Sequence, residues 1–285
     1  MGFFKTLFGG KDDSPADKQK KDEARDLDVL ISDGVRAMRT GHAEYAVKCF
    51  RHALEIKDDL QIHDYLSQAL IRNEEFRPAM EQLAILAEAQ PDNIQIVLTM
   101  ARVAFLMEDY SAMTSACEKA MLIDKDNAEV AYLYGQAARG QGDLVNAVAM
   151  FTKAILLNEE YLDSYLQRGQ VLLAQGDLEA AQEDADHLME VASHSEDVLL
   201  LKARVLTAQA KLDDAISVYD RVVDGNPFCV AAYQERASLK LKTGDEKGAK
   251  EDLDKVSELA PENAVDENIE EKVKEAFSTF NPFAQ

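Results

Sequence analysis

The chain has 285 residues, with 53 Asp or Glu against 31 Lys or Arg and a net charge of -22. A hydrophobic share of 47% is enough to build a core and excludes a globally disordered chain. The negative balance repels nucleic-acid phosphates and anionic lipid from most of the surface. Cys49, Cys117 and Cys229 are odd in number and far apart, which fits a reducing compartment, the cytoplasm, better than a disulfide framework. No apolar run is long enough to span a bilayer as a helix.

Residues 1–26 read as an amphipathic segment followed by a flexible linker. Phe3, Phe4, Leu7 and Phe8 share one helical face, with Lys5 and Lys11 beside it. Such a face on a tether fits docking to a membrane surface, making the protein peripheral there, or to a partner. A disordered tail, or a segment capping the first repeat, fits the same residues. The apolar stretch is too short and too soon charged for a secretory signal.

From residue 27 a period of 34 takes over. An alanine series runs Ala46, Ala79, Met113, Ala147, Ala181, Ala215 and Ala249, broken in residue type only at Met113. Twelve positions before each member stands a small residue: Gly34, Ser67, Ala101, Gly135, Gly169, Ala203 and Ala237. Four positions after it, a bulky residue recurs as Phe50, Leu83, Phe151, Tyr219 and Leu253, with Cys117 and Ala185 as smaller exceptions. Turn signals lie between, as in Gln141-Gly142-Asp143, Gln175-Gly176-Asp177 and Thr243-Gly244-Asp245. The pattern predicts two antiparallel helices of about 13 residues per repeat. Small residues let the helices approach, the bulky residue fills the gap to the next repeat, and glycine supplies the turn. Pro78 falls at the start of a second helix, where a missing N–H costs little.

These residues resemble the tetratricopeptide repeat family over seven units: 27–59, 60–93, 94–127, 128–161, 162–195, 196–229 and 230–263. The resemblance implies an all-α, right-handed superhelical solenoid of helix-turn-helix repeats. Residues 264–285 read as a polar capping helix, from Asp266 to Phe277, and a tail.

No residue set points to catalysis, a metal or a cofactor. The histidines His42, His52, His63, His187 and His194 lack zinc-ligand spacing to Cys or carboxylates. No phosphate-binding glycine loop or nucleophile elbow occurs. Cys117 occupies a core position and reads as packing. The acids read as solvated helix faces, lying mainly on the second helices, as in Glu179, Glu183, Asp184, Glu251 and Asp252.

The family resemblance implies a non-catalytic scaffold or adaptor whose first helices line a concave groove for an extended peptide or a partner's helix. The row Val35, Gln68, Arg102, Gln136, Gln170, Arg204, Ser238, with the rows three and four residues on, contains no Asp or Glu. Arg72, Arg102, Arg139 and Arg204 would pair with carboxylates. Gln68, Gln136 and Gln170 would bond a peptide main chain. Phe105, Tyr132 and Leu166 would add apolar contact. The partner this lining suits is acidic, or polar with apolar anchors. On the alternative reading, the arginines pair with acids of the adjacent repeat and hold the stack together. A structural subunit that self-associates or joins a larger assembly is the other functional class.

Overall fold

The computed structural model describes residues 15–260. The amphipathic face of Phe3, Phe4, Leu7 and Phe8 and the expected capping helix from Asp266 to Phe277 lie outside the described residues. Within them are fourteen α-helices and no strand. The chain divides into two compact units, one reaching Lys125 and one starting at Asp126.

The first unit holds α1 (Pro15–Arg39), α2 (Ala43–Ile56), α3 (Leu60–Arg72), α4 (Phe76–Ala89), α5 (Ile94–Leu106) and α6 (Tyr110–Ile123). The second holds α7 (Ala128–Gly140), α8 (Leu144–Leu157), α9 (Leu162–Gln175), α10 (Leu178–Val191), α11 (Glu196–Ala208), α12 (Leu212–Gly225), α13 (Val230–Thr243) and α14 (Glu246–Leu259). In each unit every helix packs on its neighbours in the chain. One departure from the sequence reading is at the start. Residues 15–26, read as linker, form the first turns of α1. Proline suits a first helical position, and the Ala, Lys, Gln, Glu and Arg that follow are strong helix formers.

The period of 34 has a concrete meaning in packing. An added Cβ at Gly34 would meet the Phe50 ring at 2.6 Å, and one at Gly135 would meet Phe151 at 2.7 Å. The bulky residue therefore lies over the small residue of its own repeat, and also reaches the next one, as where Phe50 stacks on Tyr65 at 5.4 Å. In the fifth repeat Ala185 leaves that space, and Leu201 of the next repeat fills it, 2.9 Å from the Cβ position of Gly169. The alanine series and Met113 are fully buried. The first unit's core gathers on Phe50, Ile62, Leu66 and Leu70. In the second, Leu188, Leu201 and Val205 and Tyr219, Val222 and Leu239 centre successive clusters.

Each pair of helices is joined by one left-handed residue. Gly41, Gly142, Gly176 and Gly244 have φ from 78° to 87°. The aspartate after three of them caps the next helix: Asp143, Asp177 and Asp245 accept from the backbone N–H of Asn146, Ala180 and Gly248. The remaining repeats put Glu74, Glu108 and Ala210 at the same point, with φ of 60°, 55° and 58°. A left-handed non-glycine residue costs about 1–2 kcal/mol, against about 0.5–1 kcal/mol for the extra chain entropy glycine loses on folding. Ala210 is exposed, so no packing enters. Ala210→Gly is expected to stabilise the protein by about 0.5–1 kcal/mol in urea unfolding. A loss of stability would show that this turn is not strained.

Candidate peptide-binding face

The first helices α3 and α5 carry the candidate residues of the first unit. Gln68 is exposed, and its amide donates to the Asp64 carboxylate one turn earlier at 3.0 Å. Arg72 donates to the backbone carbonyl of Met38, in the preceding repeat, at 2.9 Å. Arg102 is exposed on α5. Phe105 is 40% exposed and meets Tyr110 edge-on, with ring centroids 6.5 Å apart.

In the second unit the candidates fall into two hydrogen-bonded groups, one within α7 and one bridging α7 and α9. Gln136 donates to the Tyr132 hydroxyl at 3.0 Å. Arg139 on α7 donates to the side-chain carbonyls of Gln167 and, at 3.1 Å, Gln170, both on α9. Those carbonyls face the guanidinium, so each amide NH2 is directed away from it. Tyr132 packs against Phe151, centroids 5.8 Å apart, and edge-on to Tyr161 at 5.0 Å. Burial, reinforced by Asp163, pushes the Tyr132 phenol up to about 12, so it stays a neutral hydrogen-bonding group at physiological pH. Leu166 is half-buried beside the core of α9 and α10. Gln167 belongs to none of the three acid-free rows and was not anticipated.

Arg204 is different. Its Nε and Nη2 donate to both oxygens of Glu235 on α13, the shortest at 2.7 Å. The Tyr219 hydroxyl donates to the same carboxylate. With Glu235 18% and Arg204 34% exposed, this pair ties the sixth repeat to the seventh. At Arg204 the arginine holds the stack together, and its charge is met within the fold.

A second set of cations recurs one residue before the small position. Arg168 grips Asp184 of its own repeat, at 2.9 Å and 2.6 Å, and reaches Thr152 of the previous repeat at 3.0 Å. Arg236 grips Asp252 and reaches Asp220 of the previous repeat at 2.7 Å. Lys202 pairs with Asp186 of the previous repeat. Burial opposes the Arg168 and Arg236 charges, but the facing aspartates outweigh it and raise both guanidinium pKa values. Asp184 and Asp252 are thus corrections to the sequence reading. They are 2% and 3% exposed, not solvated outer-face acids. The signal available was an arginine sixteen residues before each, at 168 and 236.

Two features bear on chemistry. Burial pushes the Cys117 thiol up to about 12, which keeps it a protonated packing group. Among the described residues, no three His, Cys, Asp or Glu gather where they could hold a metal ion, and no helix is long and apolar enough to cross a membrane.

Paired helices with this recurring small-residue contact and left-handed turn define a helical-repeat protein. Profiles of the tetratricopeptide repeat match residues 132–189, 172–239 and 230–263, and over that stretch the chain is built of tetratricopeptide repeats. No curated protein matches the sequence. Solved structures do resemble it. A tetratricopeptide repeat protein from Parabacteroides merdae aligns with TM-score 0.69 at 13% identity, over 87% of this chain and 97% of that one. The type IV pilus biogenesis factor PilW aligns with TM-score 0.64 at 17% identity, over 75% and 98%. YrrB, described as having an unusual peptide-binding site, aligns with TM-score 0.53 at 19% identity, over 63% and 92%. At these identities the likeness is one of fold.

Proposed function

We propose that the protein is a non-catalytic scaffold that binds an extended peptide or a partner's helix on the first helices of its repeats. The observation that carries this reading is the bridge from Arg139 on α7 to the side-chain carbonyls of Gln167 and Gln170 on α9, with the separate Gln136–Tyr132 pair on α7. Arg139 orients the two amides so that they present NH2 donors, while Gln136 donates to Tyr132 and keeps its carbonyl as an acceptor. Donors and acceptors set side by side suit a peptide main chain, and Tyr132 and Leu166 supply apolar area. Gln68, Arg72, Arg102 and Phe105 form the corresponding set in the first unit. The partner favoured is polar or acidic with apolar anchors, because Arg139 carries a bidentate-capable charge in a row without acids. The likeness to YrrB supports the peptide-binding reading.

A second reading, a structural subunit of a larger assembly, draws on the likeness to PilW. Light scattering tests its self-associating form, which requires mass to rise with concentration.

Affinity capture with the full chain, followed by mass spectrometry, identifies partners. The paired variant Arg139→Glu with Gln170→Glu is expected to weaken the recovered complex by roughly tenfold or more. Its far-UV circular dichroism should match wild type. Undiminished binding by that variant removes the face from the proposal. Arg204→Glu is unsuitable for this purpose, since it sets a carboxylate against Glu235 and disturbs the fold.

A further inference from the structure

The second helices of the second unit carry a patterned outer face that the groove does not use. On α8, Val145, Ala149, Thr152 and Leu156 stand along one line of the helix. Val145 is 74% and Leu156 79% exposed, and Thr152 turns its hydroxyl to Arg168. The one charged residue of α8 is Lys153. One repeat later, the same four positions on α10 are Glu179, Glu183, Asp186 and Glu190, all exposed. On α12 three of the four are Asp213, Asp220 and Asp224, also exposed. The repeat therefore offers an acidic outer face on two successive helices and replaces it, position for position, with uncharged and mostly apolar residues on the helix before them.

A solvated helix gains nothing from an exposed valine and leucine where the next repeats have carboxylates, and α8 and the acidic α10 both pack on α9. We infer that the outer face of α8, α10 and α12 is a second docking surface, distinct from the first-helix face, for a partner segment that is basic and carries an apolar anchor. The anchor sits on Val145, Ala149 and Leu156. Lysines or arginines of the same segment lie over Glu179, Glu183 and Glu190. A second copy of this chain is a poor occupant, because it would bring its own acidic face against these carboxylates.

The two contributions respond oppositely to one substitution. Val145→Asp with Leu156→Asp makes the face more acidic, so charge attraction alone predicts tighter binding of a cationic peptide. Loss of the apolar anchor predicts weaker binding. The probe is a fluorescein-labelled amphipathic helical peptide of leucine and lysine, compared with a leucine and glutamate peptide and with oligolysine, each titrated against the full-length protein by anisotropy. The leucine and lysine peptide should bind, and bind more tightly than the other two. It should lose roughly tenfold or more in affinity to the double aspartate variant. Glu179→Gln, Glu183→Gln and Glu190→Gln together should also weaken it, and flatten its salt dependence. Equal or tighter binding by the double aspartate variant overturns the inference, as does indifference to the glutamine variant. Sedimentation equilibrium adds a further decisive outcome. A wild-type oligomer that the double aspartate variant reduces to monomers assigns the face to a second copy and overturns the basic-partner inference.

Discussion

Arg168→Ala is expected to cost about 3–5 kcal/mol, the range for removing one partner of a buried, hydrogen-bonded ion pair. Asp184 is 2% exposed and takes two hydrogen bonds from Arg168, at 2.9 Å and 2.6 Å. Truncation leaves that carboxylate with neither water nor its cation, and also strips Thr152 of its partner. The equivalent change at Arg236 is expected to cost less. Lys240 lies 3.0 Å from Asp252 and keeps a cation beside the buried carboxylate when the guanidinium is gone. Urea unfolding of the two variants measures the difference. Replacing both partners, Arg168→Met with Asp184→Leu, should recover most of the loss, because it removes the stranded charge as well as the pair. An Arg168→Ala protein within about 1 kcal/mol of wild type would show that the pair behaves as a surface contact. An Arg236→Ala protein less stable than Arg168→Ala would show that Lys240 gives no compensation.

That clamp marks the boundary of what periodicity reveals. The repeats were legible because each meets the same backbone requirement by itself. A small residue, a turn and an alanine must recur at fixed spacing, whatever the partner repeat contains, and Gly142, Gly176 and Gly244 state the turn openly. Glu74, Glu108 and Ala210 adopt the same left-handed turn without its usual residue, and only the register of the other repeats points to them. Buried acids were not legible from their own helices. Asp184 follows Glu183 and Asp252 follows Glu251, and a step of one residue turns a helical side chain by about 100°, from solvent into the core. What separates them is the arginine on another helix. The candidate face divides in the same way. Choosing rows along single helices named Gln136, Arg139 and Gln170 as candidates, since each helix displays its own surface residues. It did not name Gln167, which accepts from Arg139 and joins α7 to α9, and it did not show what Arg204 pairs with inside the fold. That partner, Glu235, lies one turn before the Ser238 row, on a helix of the next repeat. An ion pair between repeats is a property of two helices, and no row along one of them displays it.

The glycine at the small position supplies the other large effect. Gly135→Val is expected to destabilise by about 1–3 kcal/mol, the cost of overpacking a filled core. The first carbon of any side chain there falls 2.7 Å from the Phe151 ring, and the ring is fully buried. Valine does relieve glycine's unfavourable helix propensity, but by well under about 1 kcal/mol, so the clash decides the sign. Phe151→Ala should by itself cost about 3–5 kcal/mol through the lost ring and the cavity left behind. The two losses should not add. With the ring gone, the valine occupies part of its space, and the double variant should be no less stable than Phe151→Ala alone. This predicts a coupling energy of about 1–3 kcal/mol in a double-mutant cycle measured by urea unfolding. The sequence contains related exchanges. Ser67 stands with Leu83, and Ala101 with Cys117, where Gly34 and Gly135 stand with phenylalanine, but Ala203 stands with Tyr219 and Gly169 with Ala185, so the exchange is not a rule of every repeat. Strict additivity in the cycle would mean that the helices separate to admit the valine, and that close approach at Gly135 is not what fixes the spacing of α7 and α8.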